Sequence, residues 1–404
     1  MRIILSGGGT GGHIYPAVAV AEALKRRLGD DVELLFVGAA GKMEMEKIPA
    51  LGYRIEGLPT AGLHRKLDAR NLLLPLKIAR SLRMARKVIR DFGADAVVGF
   101  GGYASGPVLR VAQRMGIPTV IQEQNSYAGL TNKLLGKRAQ KICVAYEGME
   151  RFFPPERRSS AGSSSSARPY RVANSSSDLP SASDRLSTAG RIELTGNPLR
   201  GDFSVQPSRE EALAYFGFTP DKPVLLVVGG SLGSRTLNDM MKRHVERLAS
   251  DAEIQVIWQT GKFYETEIDG FMAEKFGDGK PVQNIWRNKF IDRMDYAYAA
   301  ADLVISRSGA TTVSELSLLG KATLFVPSPN VSEDHQTKNA MALVERGAAE
   351  ICPDSMAVER AIPLALRLLG DRARLDELSA GIRRLAIADS ADRVAEIVTR
   401  LITG

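Results

Sequence analysis

The sequence predicts an α/β protein made of two Rossmann-like, doubly wound parallel-sheet domains that face one cleft. Short apolar runs alternate with helix-length stretches along most of the 404 residues, and this alternation is typical of parallel sheets with right-handed crossovers. A glycine-rich turn at residues 7–12 stands between such a run and a helix pattern, and a second turn of this kind lies at residues 229–233. Ligands bind at such turns in open α/β sheets, so we expect two similar halves around one ligand site.

The predicted strands are short runs of mostly apolar residues, which is the pattern of strands buried on both faces. In the first half they cover residues 2–6, 32–37, 95–100, 117–122 and 141–145. In the second half they cover residues 224–228, 254–259, 284–290, 303–306 and 323–326. Small and polar residues follow several of these strands, so the ligand-binding groups are expected at the carboxyl ends of the strands.

Length and composition divide the chain into two domains and a linker. A chain of 404 residues is long enough for two α/β domains of ordinary size, and we place them at residues 1–155 and 191–387. Between them, residues 156–190 contain twelve serines and few apolar residues. Such a segment cannot bury enough apolar surface to offset its ordering entropy, so we predict a disordered insertion.

Composition disfavours several other classes of protein. No stretch approaches the ~20 unbroken apolar residues of a membrane-spanning helix, and the strand pattern from residue 2 argues against a cleaved signal peptide. Cys143 and Cys352, the only cysteines, lie in apolar stretches and are expected to be buried free thiols of a cytosolic protein. No cluster of His, Cys and Asp has metal-ligand spacing, which is consistent with no metal site, and no cofactor is expected.

The net charge of +8 is concentrated in the first half of the chain. Residues 1–155 carry 23 Lys and Arg against 13 Asp and Glu, whereas residues 192–404 carry 25 against 30. A one-sided positive charge indicates attraction to a polyanion, either nucleic acid or an anionic membrane face.

One basic segment, residues 63–90, holds nine basic residues and one acid. Helical periodicity places an apolar stripe on one side and basic side chains on the opposite side. The stripe contains Ile78, Leu82, Ala85 and Ile89. This pattern fits a solvated helix packed on its sheet, and it also fits a surface that contacts acyl chains and anionic headgroups.

The first glycine-rich turn matches the dinucleotide pattern G-x-G-x-x-G through Gly7, Gly9 and Gly12. A nicotinamide enzyme also places an acidic residue at the end of the second strand, on the ribose. Here the strand at residues 32–37 runs into Gly-Ala-Ala with no acid. Hydride transfer is therefore disfavoured, and the turn is interpreted as a place where backbone N–H groups and a helix start meet an anion.

The second glycine-rich turn also matches G-x-S-x-G, the nucleophile elbow of α/β hydrolases. Ser231 would be the nucleophile, and Asp302 and His335 follow in the hydrolase order. A hydrolase needs one elbow, however, whereas glycines recur at several strand ends in this chain. A phosphate-binding turn in which Ser231 donates its hydroxyl accounts for that surplus, and the hydrolase remains the alternative.

Three further residues can be interpreted in two ways from sequence alone. His13 lies in the first glycine-rich turn and is either a turn residue held by a backbone carbonyl or a catalytic base. Glu315 lies at a helix start, where a carboxylate favours the dipole even without a ligand. Arg200 is either a solvated loop arginine or an anion ligand.

A series of motifs in this order closely resembles the MurG family of bacterial cell-wall glycosyltransferases. The motifs are GGGTGGHIYPAVAVAEAL, GGYASGP, EQNSYAGLTNK, TGNPLR, VVGGSLGS, FID, SRSGATTVSE and DHQTKNA. The resemblance covers nearly the whole chain apart from the serine-rich insertion. It implies a two-domain GT-B fold and transfer of N-acetylglucosamine from UDP-GlcNAc to the muramoyl sugar of lipid I, which gives lipid II.

The resemblance also implies roles for individual residues. Those matching the family's donor site are Thr10, Gly11 and Gly12 in the first loop, Asn125 at the donor sugar, Arg200 and Ser231 at the diphosphate, Ile291 at the uracil edge, Ala310, Thr311, Thr312, Val313, Ser314 and Glu315 in the nucleotide loop, and Gln336 at a sugar hydroxyl. Glu315 would bind the ribose hydroxyls. The last helix, within residues 388–404, is expected to pack back on the first domain.

The implied reaction is an inverting displacement at the anomeric carbon, which needs a base for the acceptor hydroxyl and groups that stabilise the departing diphosphate. His13 is the first candidate for the base and Glu123 the second. The expected partners are UDP-GlcNAc, lipid I (the undecaprenyl-diphosphate-linked acceptor) and an anionic membrane surface, with no nucleic acid. The expected location is peripheral, on the cytoplasmic face of the bacterial inner membrane. A non-catalytic nucleotide-sugar binding protein is the rival interpretation.

Overall fold

The computed structural model describes residues 1–59, 74–102, 104–153, 190–201, 203, 205–251 and 253–404. Nearly all of the serine-rich insertion and the first part of the basic segment lie outside these residues. The chain forms two compact units, one of Met1–Arg200 with Asp389–Gly404 and one of Gly201–Ala388. No helix in the described ranges combines the length and the apolar character that crossing a membrane requires.

The first unit contains seven parallel strands in the order β3-β2-β1-β4-β5-β6-β7. The strands are β1 Arg2–Ser6, β2 Glu33–Ala39, β3 Ile55–Leu58, β4 Ala96–Gly99, β5 Thr119–Glu123, β6 Lys141–Val144 and β7 Ile192–Leu194. The helices between them are α1 Gly11–Leu28, α2 Glu44–Ala50, α3 Leu74–Phe92, α4 Ser105–Arg114 and α5 Leu130–Leu135.

The sheet of the first unit carries a core on each face because side chains alternate along its strands. Ile3 and Leu5 of β1 pack on one face with residues of α1. Ile4 packs on the opposite face with residues of α3, α4 and α5. Burial on both faces explains why these strands are continuously apolar in the sequence.

The second unit contains six parallel strands in the order β10-β9-β8-β11-β12-β13. The strands are β8 Val224–Val228, β9 Gln255–Gln259, β10 Ile285–Asn288, β11 Leu303–Ser306, β12 Thr323–Phe325 and β13 Glu350–Ile351. The helices are α6 Arg209–Phe216, α7 Arg235–Ser250, α8 Glu265–Phe276, α9 Met294–Ala300, α10 Ala310–Leu319, α11 His335–Val344, α12 Asp354–Leu369 and α13 Arg372–Arg384.

The C-terminal helix α14, Ser390–Thr403, belongs to the first unit. Val394, Ile397 and Val398 lie on the same core face as α1. At the rim of this contact the Asp392 carboxylate accepts a 3.0 Å hydrogen bond from the guanidinium of Arg26 on α1. Burial of one apolar stripe of the helix therefore fixes its place in the first unit.

The predicted boundary between the units needs correction, and the apolar stripe of α3 is buried only in part. The second unit begins at Gly201 rather than at residue 191, because β7 pairs with β6 and extends the first sheet. If the whole apolar stripe of α3 packed on the sheet, Ile78 would be buried, but it is 48% exposed, whereas Ala85 and Ile89 are buried. The stripe begins further along the helix because only the later turns of α3 pack on the sheet.

Candidate functional site

Two glycine-rich turns of the first unit pack against each other at the carboxyl end of the sheet. The turn at residues 7–10 follows β1, and Gly101 and Gly102 follow β4. A Cβ on Gly102, whose φ is 82°, would overlap the carbonyl oxygen of Gly8, and one on Gly101 would lie 3.0 Å from the His13 ring. Glycine is therefore required at these positions by the close approach of the two turns and by the positive φ, whether or not a ligand binds there.

A buried carboxylate, which sequence analysis missed, occupies the first turn. Glu44 on α2 is 0% exposed, and its Oε2 accepts from the backbone N–H of Gly9 at 3.1 Å. Its Oε1 accepts from the N–H of Ala39 at 2.9 Å. One of the N–H groups expected to meet an anion at this turn, that of Gly9, is thus bound by a side chain of the protein.

His13, on the first turn of α1, has one ring nitrogen fixed by the same turn. Its Nδ1 lies 3.1 Å from the carbonyl oxygen of Gly8 and 3.2 Å from Oγ1 of Thr10. A carbonyl oxygen only accepts, so Nδ1 carries the hydrogen and Nε2 is the nitrogen that can take up a proton. The contact with the turn is the one described by the first interpretation from sequence, and the role of His13 as a base stays a prediction.

Glu123, the second candidate base, accepts four hydrogen bonds. This residue at the end of β5 is 2% exposed. Oε1 accepts from the backbone and side-chain N–H groups of Asn125 at 3.1 and 3.3 Å. Oε2 accepts from the N–H of Gly129 at 3.1 Å and from Nδ2 of Asn132 at 2.8 Å. Burial raises the pKa of Glu123 while these hydrogen bonds lower it, and the geometry is that of a group that holds the β5–α5 loop.

The remaining candidates of the first unit occupy different positions around its sheet. Thr10 is exposed at the N-cap of α1. Its carbonyl accepts from the N–H groups of His13 and Ile14, and its side chain makes no capping hydrogen bond to the helix. Gly11 and Gly12 form the first residues of α1 and are partly exposed.

Arg200 ends the first unit and pairs with Glu22 of α1, with 3.4 Å between Nε and Oε1. Asn125 lies in the loop held by Glu123. The first unit therefore brings Thr10, Gly11, Gly12 and His13 together, with Arg200 held on the side of α1.

In the second unit the turn after β8 has a similar construction. Ser231 is exposed in it, and Ser234 caps α7 by accepting from the N–H of Leu237 at 3.5 Å. A Cβ on Gly233 or on Gly261 would overlap the other turn's backbone. Glycine at both positions thus lets the turns after β8 and β9 pack directly on each other.

Arg307, which was not among the predicted site residues, ties the turn after β8 to the turn after β11. It follows β11, and its guanidinium donates to Oγ of Ser234 at 2.6 and 3.1 Å. It also donates to the carbonyl of Val326 at 2.9 Å and to Asp354 at 2.5 Å. The Arg307 side chain is only 16% exposed, so it fixes the 229–234 turn relative to the start of α10. The sequence signal that could have identified Arg307 was its position directly after a predicted strand.

The predicted nucleotide loop, Ala310 to Glu315 by number, forms the first turns of α10. Gly309 is the N-cap and provides no side-chain acceptor for the first N–H groups, and the buried Oγ1 of Thr311 has no hydrogen-bond partner among the described residues. Burial raises the pKa of Glu315 to about 7, while a 3.3 Å hydrogen bond from the Tyr298 hydroxyl lowers it. This carboxylate gains from further hydroxyl donors, which would favour its charged form.

Two other predicted residues lie at the same end of this sheet, beyond the carboxyl ends of its strands. Oε1 of Gln336 accepts from the N–H of Ser328 at 2.8 Å, and its backbone carbonyl accepts from Ser308 at 2.8 Å. The side-chain amide of Gln336 is therefore the group that can donate to a ligand. Ile291 follows β10 and is 1% exposed, so its side chain is buried, and the backbone contact with the uracil edge stays a prediction.

The hydrolase alternative fails on geometry. Ser231 follows the carboxyl end of β8. Asp302 precedes β11, and its Oδ2 accepts from the N–H of Val224, the first residue of β8, at 2.8 Å and from Arg209 at 2.7 Å. Ser231 and Asp302 thus lie at opposite ends of the same sheet, and no triad can form. Across the described ranges, no three His, Cys, Asp or Glu side chains are grouped as a metal site would require.

Comparison with known proteins gives the class. Residues 3–144 match the glycosyltransferase family 28 N-terminal domain, and residues 224–394 match the glycosyltransferase family 28 C-terminal domain. Together with two parallel α/β sheets, these matches define a glycosyltransferase of the GT-B fold.

Full-length relatives give the family. The chain is 49% identical to a Parabacteroides distasonis protein over 99% of this chain and 98% of that one. It is also 49% identical to a Porphyromonas gingivalis protein over 100% and 96%. Both are named UDP-N-acetylglucosamine--N-acetylmuramyl-(pentapeptide) pyrophosphoryl-undecaprenol N-acetylglucosamine transferase. The crystal structure of Acinetobacter baumannii MurG matches with a TM-score of 0.73 and 26% identity over 99% of both chains. The chain belongs to the MurG family of glycosyltransferases, which confirms the resemblance found in its motifs.

Proposed function

We propose that this protein transfers N-acetylglucosamine from UDP-GlcNAc to the muramoyl sugar of lipid I and so makes lipid II. The observation that carries the proposal is 49% identity over 99% of the chain to a relative named for this reaction. The alternative of a hydrolase finds no support, because Asp302, the acid of the candidate triad, lies at the opposite end of the sheet from Ser231.

The second unit is the proposed donor site. Its candidate residues all lie at the carboxyl ends of the strands of one sheet, where nucleotides bind in open α/β folds. They are Ser231, the start of α10, Glu315, Gln336 and the backbone of Ile291. The first turn of α10 would present N–H groups to the diphosphate, and Glu315 would accept from the ribose hydroxyls. Arg200 would have to exchange its pairing with Glu22 for the diphosphate.

His13 is the proposed base of the first unit. Its Nε2 would remove the proton of the acceptor hydroxyl while that oxygen bonds to the anomeric carbon and the bond to UDP breaks. The departing diphosphate would be stabilised by the N–H groups of α10 and by Arg200. Glu123 is proposed to position the loop that carries Asn125, and Asn125 to contact the donor sugar.

An anionic membrane is the proposed surface on which the acceptor is met. On one face of the first sheet, α3 and α5 expose Leu76, Ile78, Leu130 and Leu134 at 68%, 48%, 64% and 58%. Exposed basic residues accompany them, namely Lys77, Arg80, Arg83 and Arg86 on α3 and Lys137 and Arg138 after α5. Apolar and basic side chains together favour a peripheral position at a bilayer interface, here the cytoplasmic face of the inner membrane.

The test is a single reaction. The protein is incubated with UDP-GlcNAc and a lipid I analogue, and release of UDP is followed together with the mass of the product. We expect UDP release that depends on the acceptor and a product heavier by one N-acetylglucosamine. Binding of UDP-GlcNAc without turnover would instead identify a nucleotide-sugar binding protein.

A further inference from the structure

A single peptide group connects a buried carboxylate with the proposed base. Glu44 accepts from the N–H of Gly9 at 3.1 Å. The carbonyl of Gly8, which belongs to the same peptide group, lies 3.1 Å from Nδ1 of His13. The Gly8–Gly9 peptide is thus bound at its N–H end by Glu44 and at its C=O end by the imidazole.

We propose that Glu44 is a positioning residue that sets the orientation and tautomer of His13 through the Gly8–Gly9 peptide. The peptide is planar, so fixing the direction of its N–H also fixes the direction of its C=O. Two glycines flank this peptide, and glycine resists rotation less than other residues. Gly9 has a φ of 86°. An external anchor is therefore needed to hold the carbonyl toward the ring.

Charge adds to this geometric effect. Glu44 is fully buried, where hydrogen bonds polarise one another more strongly than in water. A carboxylate at the N–H end makes the Gly8 carbonyl a better acceptor for the Nδ1 hydrogen. That favours the tautomer in which Nδ1 carries the hydrogen and Nε2 is basic. A hydrogen bond made by one ring nitrogen of a histidine generally sets the protonation of the other in this way.

The packing around Gly8 leaves little freedom for a different arrangement. A Cβ on Gly8 would overlap the Glu44 carboxylate, and one on Gly102 would overlap the Gly8 carbonyl from the other turn. The Cγ of Glu44 also lies 2.6 Å from the position of a Cβ on Gly38. Glycines at residues 8, 38 and 102 thus make room for the carboxylate and for the peptide that it holds.

The inference rests on the proposed role of His13 as the base, and the test separates the two. The first measurement is the ¹⁵N NMR spectrum of histidine-labelled protein, in which His13→Ala identifies the signal among four histidines. We expect the Nδ1–H tautomer in the parent protein and a mixture in Glu44→Gln, because its single amide oxygen cannot replace both carboxylate oxygens that accept from Gly9 and Ala39. Glu46→Gln, an exposed residue on the same helix, should leave the tautomer unchanged.

The second measurement is turnover with UDP-GlcNAc and a lipid I analogue. Glu44→Gln should lower kcat by about tenfold to a hundredfold, as expected for a displaced catalytic group, with the KM for UDP-GlcNAc changed less than about twofold. In a His13→Ala background the same substitution should have no further effect on kcat. Gly9→Ala, whose Cβ would meet nothing within 4 Å but would disfavour the positive φ, should disturb the tautomer in the same way if Glu44→Gln does not fold.

An unchanged Nδ1–H tautomer in both Glu44→Gln and Gly9→Ala would overturn the inference. So would an equal loss of kcat from Glu44→Gln with and without His13, because that result would describe a residue that only supports the fold. If His13→Ala retains full kcat, the proposed base is wrong, and the tautomer measurement still decides whether Glu44 positions the ring.

Discussion

Nδ2 of Asn132 donates a 2.8 Å hydrogen bond to Oε2 of Glu123, which completes a set of four donors around this buried carboxylate. Glu123 ends β5 and Asn132 lies in the first turn of α5, so the contact closes the loop between them. A carboxylate satisfied in this way stabilises its surroundings more readily than it takes part in proton transfer.

The first prediction concerns Glu123→Gln. The amide nitrogen would face N–H donors, so we expect a loss of about 1–3 kcal/mol in the free energy of unfolding. The acid limb of the kcat/KM profile against pH should remain, because His13 is the proposed base. Urea unfolding and the pH profile measure the two effects. Full stability with loss of the acid limb would make Glu123 the base instead.

The second prediction concerns the pH dependence of donor binding. Glu315 has a pKa of about 7, and ribose hydroxyls would donate to its charged form. UDP-GlcNAc should therefore bind more tightly as the pH rises through 7. Below pH 7, binding should release protons from the protein. Glu315→Ala should weaken binding by roughly 1–3 kcal/mol, and Glu315→Gln should flatten the pH dependence. Calorimetry in EDTA measures both.

A matched control for that experiment is Glu274→Gln, which changes an exposed residue of α8. It should leave affinity and pH dependence as they are. Equal affinity in Glu315→Ala and in the parent protein would remove Glu315 from the donor site.

The third prediction concerns stability. Burial raises the pKa of Glu315 above its ordinary value, so the ionised carboxylate destabilises the fold. The penalty is absent below about pH 4, where the group is protonated even in the unfolded chain, and is fully present above pH 7. Glu315→Gln should therefore raise the free energy of unfolding by about 1–3 kcal/mol at pH 8 and give no gain at pH 4. Thermal unfolding at the two pH values checks this, and an equal gain at both would assign it to packing.

The fourth prediction concerns Arg307→Lys. A lysine cannot reproduce the forked contacts to Ser234, Val326 and Asp354, so the two turns at the donor edge should loosen. We expect a loss of about 1–3 kcal/mol in stability and weaker UDP binding. Arg243→Lys, on the exposed side of α7, should change stability by less than about 0.5 kcal/mol. Unfolding and calorimetry on both variants decide, and unchanged UDP affinity in Arg307→Lys would show that the turns are fixed by other contacts.

The fifth prediction concerns the membrane surface. Replacing Arg80, Arg83 and Arg86 with Glu should strongly reduce binding to vesicles that contain phosphatidylglycerol, since each basic residue near such a surface contributes about 1 kcal/mol. Raised salt should do the same to the parent protein. Turnover with a short-chain soluble acceptor should survive. Sedimentation with vesicles, with phosphatidylcholine vesicles for comparison, measures the binding.

Two further variants sharpen the membrane experiment. Leu130→Ser with Leu134→Ser should reduce the vesicle binding that remains at high salt, because the apolar contribution is not screened. The charge-matched control replaces three exposed basic residues of the second unit, and it should bind like the parent protein. Those residues are Arg243, Arg247 and Lys275. Equal binding by the α3 variant and the parent would mean that α3 presents only a solvated face.

The strands that the sequence predicted are those buried inside the two sheets, together with β10. The strands it missed are β3, β7 and β13, and each of them is at an edge of its sheet. An edge strand pairs on one side only and is less fully buried, so it lacks the continuous apolar run by which interior strands are recognised. The boundary between the units was misplaced for the same reason, because it depended on recognising β7.

The sequence by itself determined the fold class, the family and the positions of most candidate residues, because strand periodicity, glycine-rich turns and motif order are local features of the chain. Only the tertiary structure decided which groups those residues contact. Glu44 reaches Gly9 across 35 residues and Arg307 reaches Ser234 across 73, and no local pattern specifies such contacts. Burial likewise distinguished Glu123, enclosed by four donors, from His13, whose Nδ1 is held while Nε2 remains the basic nitrogen. Chemistry at this site depends on which groups the packed strands bring within hydrogen-bonding distance, and that is a property of the folded chain.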